Sequence, residues 1–491
     1  MQTLQTTTRR GRRTLALLAA LALAAASCGG DDDDGQGAGS APDTTEAAAE
    51  TTAAETTAAE TTAADNGTAD TSADTTTETT MGDTTTSETT APSGGDADTP
   101  AAAPEPGPGF DGETIKVGVL TALSGPAALI GTQLAAGQQV YFDYLNAELG
   151  GVAGQYPVEI VLEDHLYDTS TTVQKYAQVK DDVVMFSQVM GTPSVFALLP
   201  LLDEDGIVAS PASQDAFWVR EQQLLPVIEP YQIDVINAMS YYLGDGGGST
   251  SDTICAVIQN DVYGEAGLQG LEFAADQMGF EIAAVARYAA GDQSFTAQVT
   301  TLANADCDMV FATALPTEFG GITGTAAQSG FAPRWIAQSP AWVDELAAGP
   351  LGPYLEENVW IAALGREWGD PASTEMTAMV DRVAKYRPEQ QPDYYFTFGY
   401  LQAWAADQVL EAAIANGDLS REGIVSAMNG LSELDFGDLS PAYTYGPPED
   451  RNPPRGTTVF EVDTTKPFSL GALVTNMTSP EAEAYVFPEA G

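Results

Sequence analysis

The sequence predicts an α/β protein with two doubly wound lobes, each built on a parallel sheet. Apolar segments typical of buried strands alternate with helical segments from residue 114 onward. The alternation starts a second series after Tyr231, and the folded part, placed at 113–491, exceeds the usual size of one domain. Strands that alternate with helices of ten or more residues form βαβ units with right-handed crossovers.

The first series contains four strands with a helix after each of the first three. The predicted strands are TIKVGVLT (114–121), VEIVLED (158–164), VVMFSQV (183–189) and GIVASP (206–211). The intervening helices run from Pro126 to Leu149, from Asp168 to Lys180 and from Pro193 to Asp205. Asp168 is suited to cap the second of them, because a carboxylate accepts hydrogen bonds from the free amides of a helix start.

The second series repeats this order. Its predicted helices are 231–243, 262–278, 294–304 and 317–329, and its predicted strands are 253–259, 281–288, 307–314 and 334–338. Two such series in one chain predict two lobes.

The N-terminal segment predicts export and lipid attachment. Four arginines precede an apolar run, Leu15 to Ala26, that is too short for a permanent membrane span and is typical of a signal peptide at 1–27. The small residues that end it are followed by Cys28, an order that resembles the lipobox of bacterial lipoproteins. The resemblance implies lipid attachment at Cys28 and a location at the extracytoplasmic face of the cell membrane. The alternative is an ordinary signal peptide with a chance cysteine.

Residues 28–112 are predicted to form a disordered tether. Thr, Ala, Asp and Glu dominate this segment, which includes the repeat TTAAETTAAETTAAD. Such a composition buries too little apolar surface to offset the entropy of ordering.

The chain as a whole has 70 acidic and 18 basic residues, for a net charge of −52. This balance argues against nucleic acid as a partner, because nucleic-acid binding requires a basic surface.

The two remaining cysteines, Cys255 and Cys307, each lie near the start of an apolar, β-branched run. In an oxidising compartment, two isolated cysteines on neighbouring strands predict a disulfide, and two free buried thiols are the alternative. Neither cysteine lies in a motif that indicates a metal site, so no metal or cofactor is expected.

Open parallel sheets bind ligands at the carboxyl ends of their strands, next to helix N-termini. The loops at these positions are 123–131, 191–196 and 210–215 in the first series, and 260–267, 314–321 and 337–342 in the second. Ser194 stands out, because a hydroxyl at a helix start can join free amides in binding a carboxylate. Simple capping of its own helix is the equal alternative.

Four segments carry a resemblance to a known family. They are IKVGVLTALSGPAALIGTQLAAGQQVYFDYLNAELGGVAG, VEIVLEDHLYD, SQVMGTPSVFALLPLLDEDGIVASPAS and NDVYGEAG. In order and spacing the chain resembles the type I periplasmic binding proteins, in particular the leucine/isoleucine/valine-binding receptors of ABC importers. The resemblance implies two lobes joined by a three-segment hinge, with lobe 1 at 113–230 plus 363–440 and lobe 2 at 231–362 plus 441–491.

The resemblance also implies a ligand site between the lobes. The candidate ligand-binding residues are Ser124, Ser194, Ala212, Ser213, Gln214, Tyr263, Leu315 and Ser339. Ser194 corresponds to the carboxylate-binding hydroxyl, and Tyr263 to the tyrosine of the family pattern D-x-x-Y-G. The partners implied are a small polar solute, such as an amino acid or a related amide or carboxylate, and a membrane permease. A monomer is implied as well.

Two positions depart from the amino-acid binders. Leu315 and Pro316 replace an aromatic residue, and Ser339 lies near the position of the acid that pairs with the ligand ammonium. Glu318 and Asp344 are close in sequence but are expected to lie at least one helical turn away. A buried ammonium without a counter-charge is costly, so the departure weakens the case for an α-amino acid.

An enzyme is not predicted. The chain has no G-x-S-x-G, H-E-x-x-H or G-x-x-x-x-G-K-[ST] motif. Its only histidine, His165, lies at the end of a predicted strand and is interpreted as solvated or capped rather than catalytic. The alternative to an importer receptor is a ligand-sensing surface protein that is not coupled to transport, which the same fold permits.

Overall fold

The computed structural model describes residues 103–363 and 365–490. The predicted signal peptide at 1–27, the lipidation site Cys28 and most of the tether at 28–112 lie outside these residues. Within the described ranges, no helix combines the length and the apolar character needed to cross a lipid bilayer.

The described residues form strands β1–β13 and helices α1–α12, and they include every element predicted between 114 and 338. The strands are β1 (Ile115–Thr121), β2 (Val158–Asp164), β3 (Met185–Met190), β4 (Ala209–Ala212), β5 (Ile254–Gln259), β6 (Ile282–Tyr288), β7 (Met309–Thr313), β8 (Arg334–Gln338), β9 (Val359–Ala363), β10 (Glu433–Leu434), β11 (Tyr443–Thr444), β12 (Thr457–Val462) and β13 (Leu470–Met477). The helices are α1 (Ala128–Tyr144), α2 (Thr169–Val179), α3 (Thr192–Asp205), α4 (Tyr231–Leu243), α5 (Val262–Met278), α6 (Thr296–Asn304), α7 (Pro316–Ser329), α8 (Gly352–Asn358), α9 (Thr374–Tyr386), α10 (Tyr394–Ala415), α11 (Arg421–Gly430) and α12 (Pro480–Ala484).

The first sheet has the order β2-β1-β3-β4, and all of its strands are parallel. Both faces are covered, since α1 and α10 share one apolar cluster with it and α2 and α3 share another. Burial on both faces explains why β1 is an almost continuous apolar run rather than an alternating one.

The second sheet has the order β13-β12-β9-β8-β7-β5-β6. Strands β5 to β9 are parallel, whereas β12 is antiparallel to both β9 and β13. The predicted α/β class with parallel sheets is confirmed. The antiparallel hairpin of β12 and β13 was not predicted, because the strand–helix alternation that signals βαβ units has ended by this point of the chain.

The predicted disulfide is confirmed. Cys255 in β5 and Cys307, two residues before β7, are bonded, with their Cα atoms 5.9 Å apart. Strands β5 and β7 are parallel neighbours, so their amino-terminal ends meet at the same edge of the second sheet.

The chain passes between the two sheets three times: before α4, after β9 and before β12. We use lobe 1 for the first sheet with α1–α3 and α9–α11, and lobe 2 for the second sheet with α4–α8 and α12.

Folded structure begins before the predicted tether boundary at residue 112. Phe110 is only 3% exposed, and its ring meets that of Tyr156 edge-on at 5.1 Å. The amide of Lys116 also donates to the carbonyl oxygen of Gly109 at 2.7 Å. The apolar Phe110 therefore belongs to lobe 1.

The structure also moves the lobe boundary predicted at residue 440. Tyr443 lies in the same apolar cluster as α10. The buried Arg451 guanidinium donates to the carbonyl oxygens of Glu221 and Leu224, at 2.8 and 3.0 Å, and so holds this segment on lobe 1. The chain returns to the second sheet only after Arg451.

Helices α1 and α10 cross at very close range in lobe 1. A Cβ atom on Gly137 would lie 2.1 Å from the carbonyl oxygen of Phe396, and one on Gly399 would lie 2.0 Å from that of Leu134. Only glycine permits main chains to approach this closely. The contact joins two segments that are distant in sequence.

A buried carboxyl group lies in the same contact. The Tyr141 hydroxyl on α1 donates to Asp407 Oδ2 on α10 at 2.7 Å. Asp407 is 5% exposed, and burial raises the pKa of its carboxyl group to about 7. The folded state therefore favours the neutral acid.

The substitution Asp407→Asn is expected to stabilise the fold above about pH 7 and to leave it unchanged below about pH 4. Between the unfolded pKa near 4 and the folded pKa near 7, the folded state holds a proton that the unfolded state has released, so stability falls as pH rises. The neutral amide removes this loss, a gain of about 4 kcal/mol at pH 8. Urea unfolding across this pH range measures it, and a gap independent of pH would contradict the explanation.

Candidate functional site

The start of α3 presents free hydrogen-bond donors. Gly191 is the N-cap, with a φ of +96° in the region that favours glycine, and no side chain caps the helix. A Cβ atom here would lie 2.7 Å from Cε2 of Tyr167. Thr192 is 1% exposed, and its hydroxyl has no hydrogen-bond partner among the described residues. Free amides and an unused hydroxyl at a helix start suit an anionic group.

Tyr167 is brought over this helix start by a strained loop. Leu166 and Tyr167 both have positive φ values, 61° and 57°. His165 holds the loop, since its Nδ1 accepts a hydrogen bond from the Tyr167 amide at 3.1 Å. His165 is fully buried, and burial lowers its pKa to about 4, so its ring is neutral. The expectation of a solvated ring is wrong because the ring is buried, whereas the hydrogen bond to its Nδ1 agrees with the expectation of a capped ring.

Lobe 2 supplies Tyr263 from the first turn of α5. Asp261 caps this helix, its Oδ1 accepting from the amides of Tyr263 and Gly264 at 3.0 and 3.2 Å. The Tyr263 hydroxyl donates to the carbonyl oxygen of Ala314 at 3.2 Å, and its ring centroid lies 5.3 Å from that of Tyr231. Tyr263 is therefore held in place from both ends.

A third wall comes from the start of α10. The Tyr395 hydroxyl lies 2.6 Å from the carbonyl oxygen of Ser339 and 2.8 Å from that of Trp342, and so it bonds lobe 1 to the loop after β8. Its neighbour Tyr394 has a buried hydroxyl with no hydrogen-bond partner among the described residues. Burial raises the pKa of Tyr394 and Tyr395 well above the usual value, so both hydroxyls stay neutral.

These walls border a space of about 420 Å³ between the lobes, part of which is open to solvent, and we call it the ligand cavity. None of the residues that line it carries a formal charge. They are Ile130, Leu134, Tyr167, Met190, Gly191, Thr192, Ala212, Gln214, Tyr231, Tyr263, Leu315, Ser339, Pro340, Tyr394, Tyr395 and Phe398. The cavity suits a largely apolar solute with one polar end.

Five of the eight candidate ligand-binding residues line this cavity. They are Ala212, Gln214, Tyr263, Leu315 and Ser339. They come from both lobes, as expected for loops at the carboxyl ends of parallel strands.

The other three, all serines, are engaged elsewhere. The Ser124 hydroxyl donates to Asp164 at 2.6 Å, and Ser194 Oγ lies 2.9 Å from Thr172 Oγ1. Ser213 accepts a hydrogen bond from the Trp218 indole at 3.1 Å. Residues 192 and 194 point to different sides of α3 because successive helical positions are rotated by about 100°. The structure therefore places Thr192, rather than Ser194, on the cavity wall.

Most of the remaining cavity residues were not among the candidates, and three of these contribute polar side chains at the helix starts or the loop over them: Thr192, Tyr167 and Tyr394. Thr192 directly follows the glycine of the predicted loop, and its position as the first residue of α3 was the available signal. Tyr167 and Tyr394 had no such signal. Tyr167 depends on the positive φ values of its loop, and Tyr394 comes from a helix remote from the predicted loops.

Glu318 and Asp344 are the two acidic residues closest in sequence to the position where amino-acid binders have an acid for the ligand ammonium. Neither of them lines the cavity. Glu318 is buried in the first turn of α7, where its carboxylate accepts from the Gly291 amide at 2.8 Å. Asp344 begins a separate 3-10 turn. Among the described residues, no group of three or more His, Cys, Asp or Glu side chains is placed to hold a metal ion.

Comparison with known families gives one match. A family model described as Periplasmic binding protein matches residues 114–467, which is more than half of the chain. No match was found among curated proteins.

Several solved structures share the fold. A fatty acid ABC transporter substrate-binding protein from Thermomonospora curvata is 26% identical, with a TM-score of 0.73, over 79% of this chain and 99% of its own. A branched chain amino acid ABC transporter protein from Thermus thermophilus with bound valine is 18% identical, with a TM-score of 0.65, over 76% and 99%. A leucine binding protein from Thermotoga maritima is 17% identical, with a TM-score of 0.61, over 74% and 98%.

Proposed function

The chain belongs to the periplasmic binding protein family, and on that premise we propose that it is the lipid-anchored substrate-binding protein of an ABC importer. Its solved relatives include substrate-binding proteins of ABC transporters, which supports the importer assignment. The basic, then apolar N-terminus that ends at Cys28 supports export and lipid attachment. In this proposal the tether carries the folded domain outside the membrane, and the protein binds its solute as a monomer without altering it.

Binding in this proposal is closure of the two lobes on a solute. The three chain crossings act as the hinge, and the ligand cavity is the space that closure forms. Ligand shifts the equilibrium toward the closed form only by the difference between its affinities for the two forms. Contacts that span the cavity, such as Tyr395 with Ser339, belong to the closed form.

The ligand we propose is a monocarboxylate with an apolar body, bound with its carboxylate at the start of α3. One observation carries this proposal: an uncharged cavity lining that includes the unpartnered hydroxyl of Thr192 beside free helix amides. Tyr394 adds a second unpartnered hydroxyl to the same cavity. An α-amino acid would bury its ammonium group without a counter-charge, which is costly. The relative titled as a fatty acid substrate-binding protein supports the same choice.

The substitution Thr192→Val is expected to weaken carboxylate binding about tenfold, because it removes one hydrogen-bond donor while keeping the side-chain shape. Isothermal titration with octanoate measures this. The matched substitution Ser194→Ala, in the same helix turn but outside the lining, is expected to leave the dissociation constant unchanged. A loss of affinity in Ser194→Ala alone would return the carboxylate site to Ser194.

A thermal-shift panel tests the choice of ligand class. Octanoate at about 100 times its dissociation constant is expected to add roughly 2.7 kcal/mol of stability. Octanol, leucine and octylamine are the matched comparisons, since they lack the carboxylate, add an ammonium group, or replace the anion by a cation. Stabilisation by leucine but not by octanoate would contradict the monocarboxylate.

Loss of solute uptake after deletion of the gene tests coupling to transport. A ligand-sensing surface protein would bind the same solute and leave uptake unchanged.

A further inference from the structure

A second and larger cavity adjoins the ligand cavity. It contains about 780 Å³ of space, part of which is open to solvent, and it shares Ser339, Tyr394 and Phe398 with the ligand cavity. We call it the tail cavity. Its wall is mainly apolar and includes Trp342, Trp368, Met376, Leu439, Phe460 and Phe468. These three shared residues therefore form the boundary between the two spaces, which we call the neck.

The charges in the tail cavity wall are already paired. Arg366 Nη1 lies 3.0 Å from Asp370 Oδ2, and Glu367 Oε2 lies 3.3 Å from Lys466 Nζ. The side chains of Arg366 and Glu367 are about one-third exposed, so both reach solvent. The interior of the cavity consequently offers aromatic and aliphatic surface, and its charged groups lie at the solvent edge.

One wall of the tail cavity is held in a costly conformation. Phe468 has a φ of 54°, which is uncommon for a large side chain. The Trp342 indole donates to the Phe468 carbonyl oxygen at 3.0 Å, and the Phe468 ring packs against Trp368 with centroids 5.5 Å apart. These contacts fix the aromatic wall.

The tail cavity leaves apolar side chains of its wall without packing partners on one side. Interiors are packed as densely as organic crystals, and the atoms that line a void lose dispersion contacts. Empty apolar cavities stay dry and bind apolar groups. A space next to the ligand cavity is therefore suited to the apolar part of a ligand.

We propose that the tail cavity is the subsite for an alkyl chain, so that the ligand is a long-chain monocarboxylate that passes the neck between Tyr394 and Phe398. This inference rests on the proposed function, which places the carboxylate at Thr192. It adds that the affinity depends on the length of the alkyl chain, because that chain occupies a separate space between α9, α10 and residues 467–469. A short carboxylate would leave that space empty.

Titration with butanoate, octanoate and dodecanoate tests the subsite. The full chain with Cys28→Ala is used, so that no attached lipid competes, and each carboxylate is kept below its micelle concentration. Affinity is expected to rise up to about fourfold per added methylene until the tail cavity is filled. Equal affinities for butanoate and dodecanoate would overturn the subsite and leave the proposed function standing. Failure of all three to bind would overturn the proposed function itself.

Two substitutions locate the effect in the tail cavity. Ala363→Phe, on β9 in the cavity wall, is expected to lower dodecanoate affinity at least tenfold and to leave butanoate affinity unchanged. Met376→Trp fills the same space from α9 and is expected to do the same, and thermal unfolding without ligand checks that each variant is folded. Thr192→Val is the matched head-group variant and should weaken all three carboxylates by the same factor. Dodecanoate binding unaffected by both cavity-filling substitutions would overturn the subsite.

Discussion

The double substitution Cys255→Ser and Cys307→Ser is expected to lower the free energy of unfolding by about 4 kcal/mol. The disulfide joins residues 52 positions apart, and closing a loop of that length raises the free energy of the unfolded chain by this much in the entropic model, because it removes conformational entropy. Cys255 lies in β5 and Cys307 just before its parallel neighbour β7, so the bond acts on the folding of lobe 2. Urea unfolding measures the loss.

Reduction of the unmodified protein is the control for this prediction. It breaks the same bond without changing a side chain, so it should shift the urea midpoint as far as the double substitution does. Neither cysteine lines the ligand cavity or the tail cavity, so ligand affinity should stay unchanged in folded protein. An unchanged midpoint after complete reduction would show that the bond does not restrain the unfolded chain.

The substitution Gly399→Ala is expected to destabilise the protein by about 3 kcal/mol, because one added methyl group would force α1 and α10 apart. Its Cβ would lie 2.0 Å from the Leu134 carbonyl oxygen, and a main-chain atom cannot move aside as a side chain does. Leu134 also lines the ligand cavity, so displacement of α1 is expected to weaken ligand binding as well.

The matched control is Gly324→Ala in α7. It makes the same chemical change within a helix, but the added Cβ meets no atom within 4 Å. Alanine is the better helix former by up to about 1 kcal/mol, so this variant should become more stable. Thermal unfolding of the two variants should therefore shift in opposite directions. Shifts in the same direction would contradict the close helix contact.

The parts of the fold that the sequence predicts are those with a regular period. Between residues 114 and 338, buried strands and helices alternate, and the predicted cap Asp168 is found at the start of α2. Beyond β9 this regularity ends. Helix α10 is apolar on nearly all sides because it is enclosed by lobe 1, and such a segment lacks the one-sided pattern of a surface helix.

The site was predicted at the level of loops and only in part at the level of side chains. Parallel topology brings the strand ends together, and this placed Gln214, Tyr263 and Ser339 around one cavity. The direction of each side chain within a loop depends on main-chain angles that sequence patterns do not determine. A shift of two positions, from Ser194 to Thr192, is the result.

The contact that Tyr395 makes between the lobes bears on how fast a bound solute is released. Its hydroxyl lies within hydrogen-bond distance of the main-chain carbonyl oxygens of Ser339 and Trp342, so this contact between the lobes involves no atom of a ligand. In the proposed closure of the lobes, every bound solute would leave only after this same contact breaks. The residence times of different solutes would therefore share a minimum that the protein sets, and the contacts specific to each solute would lengthen them further.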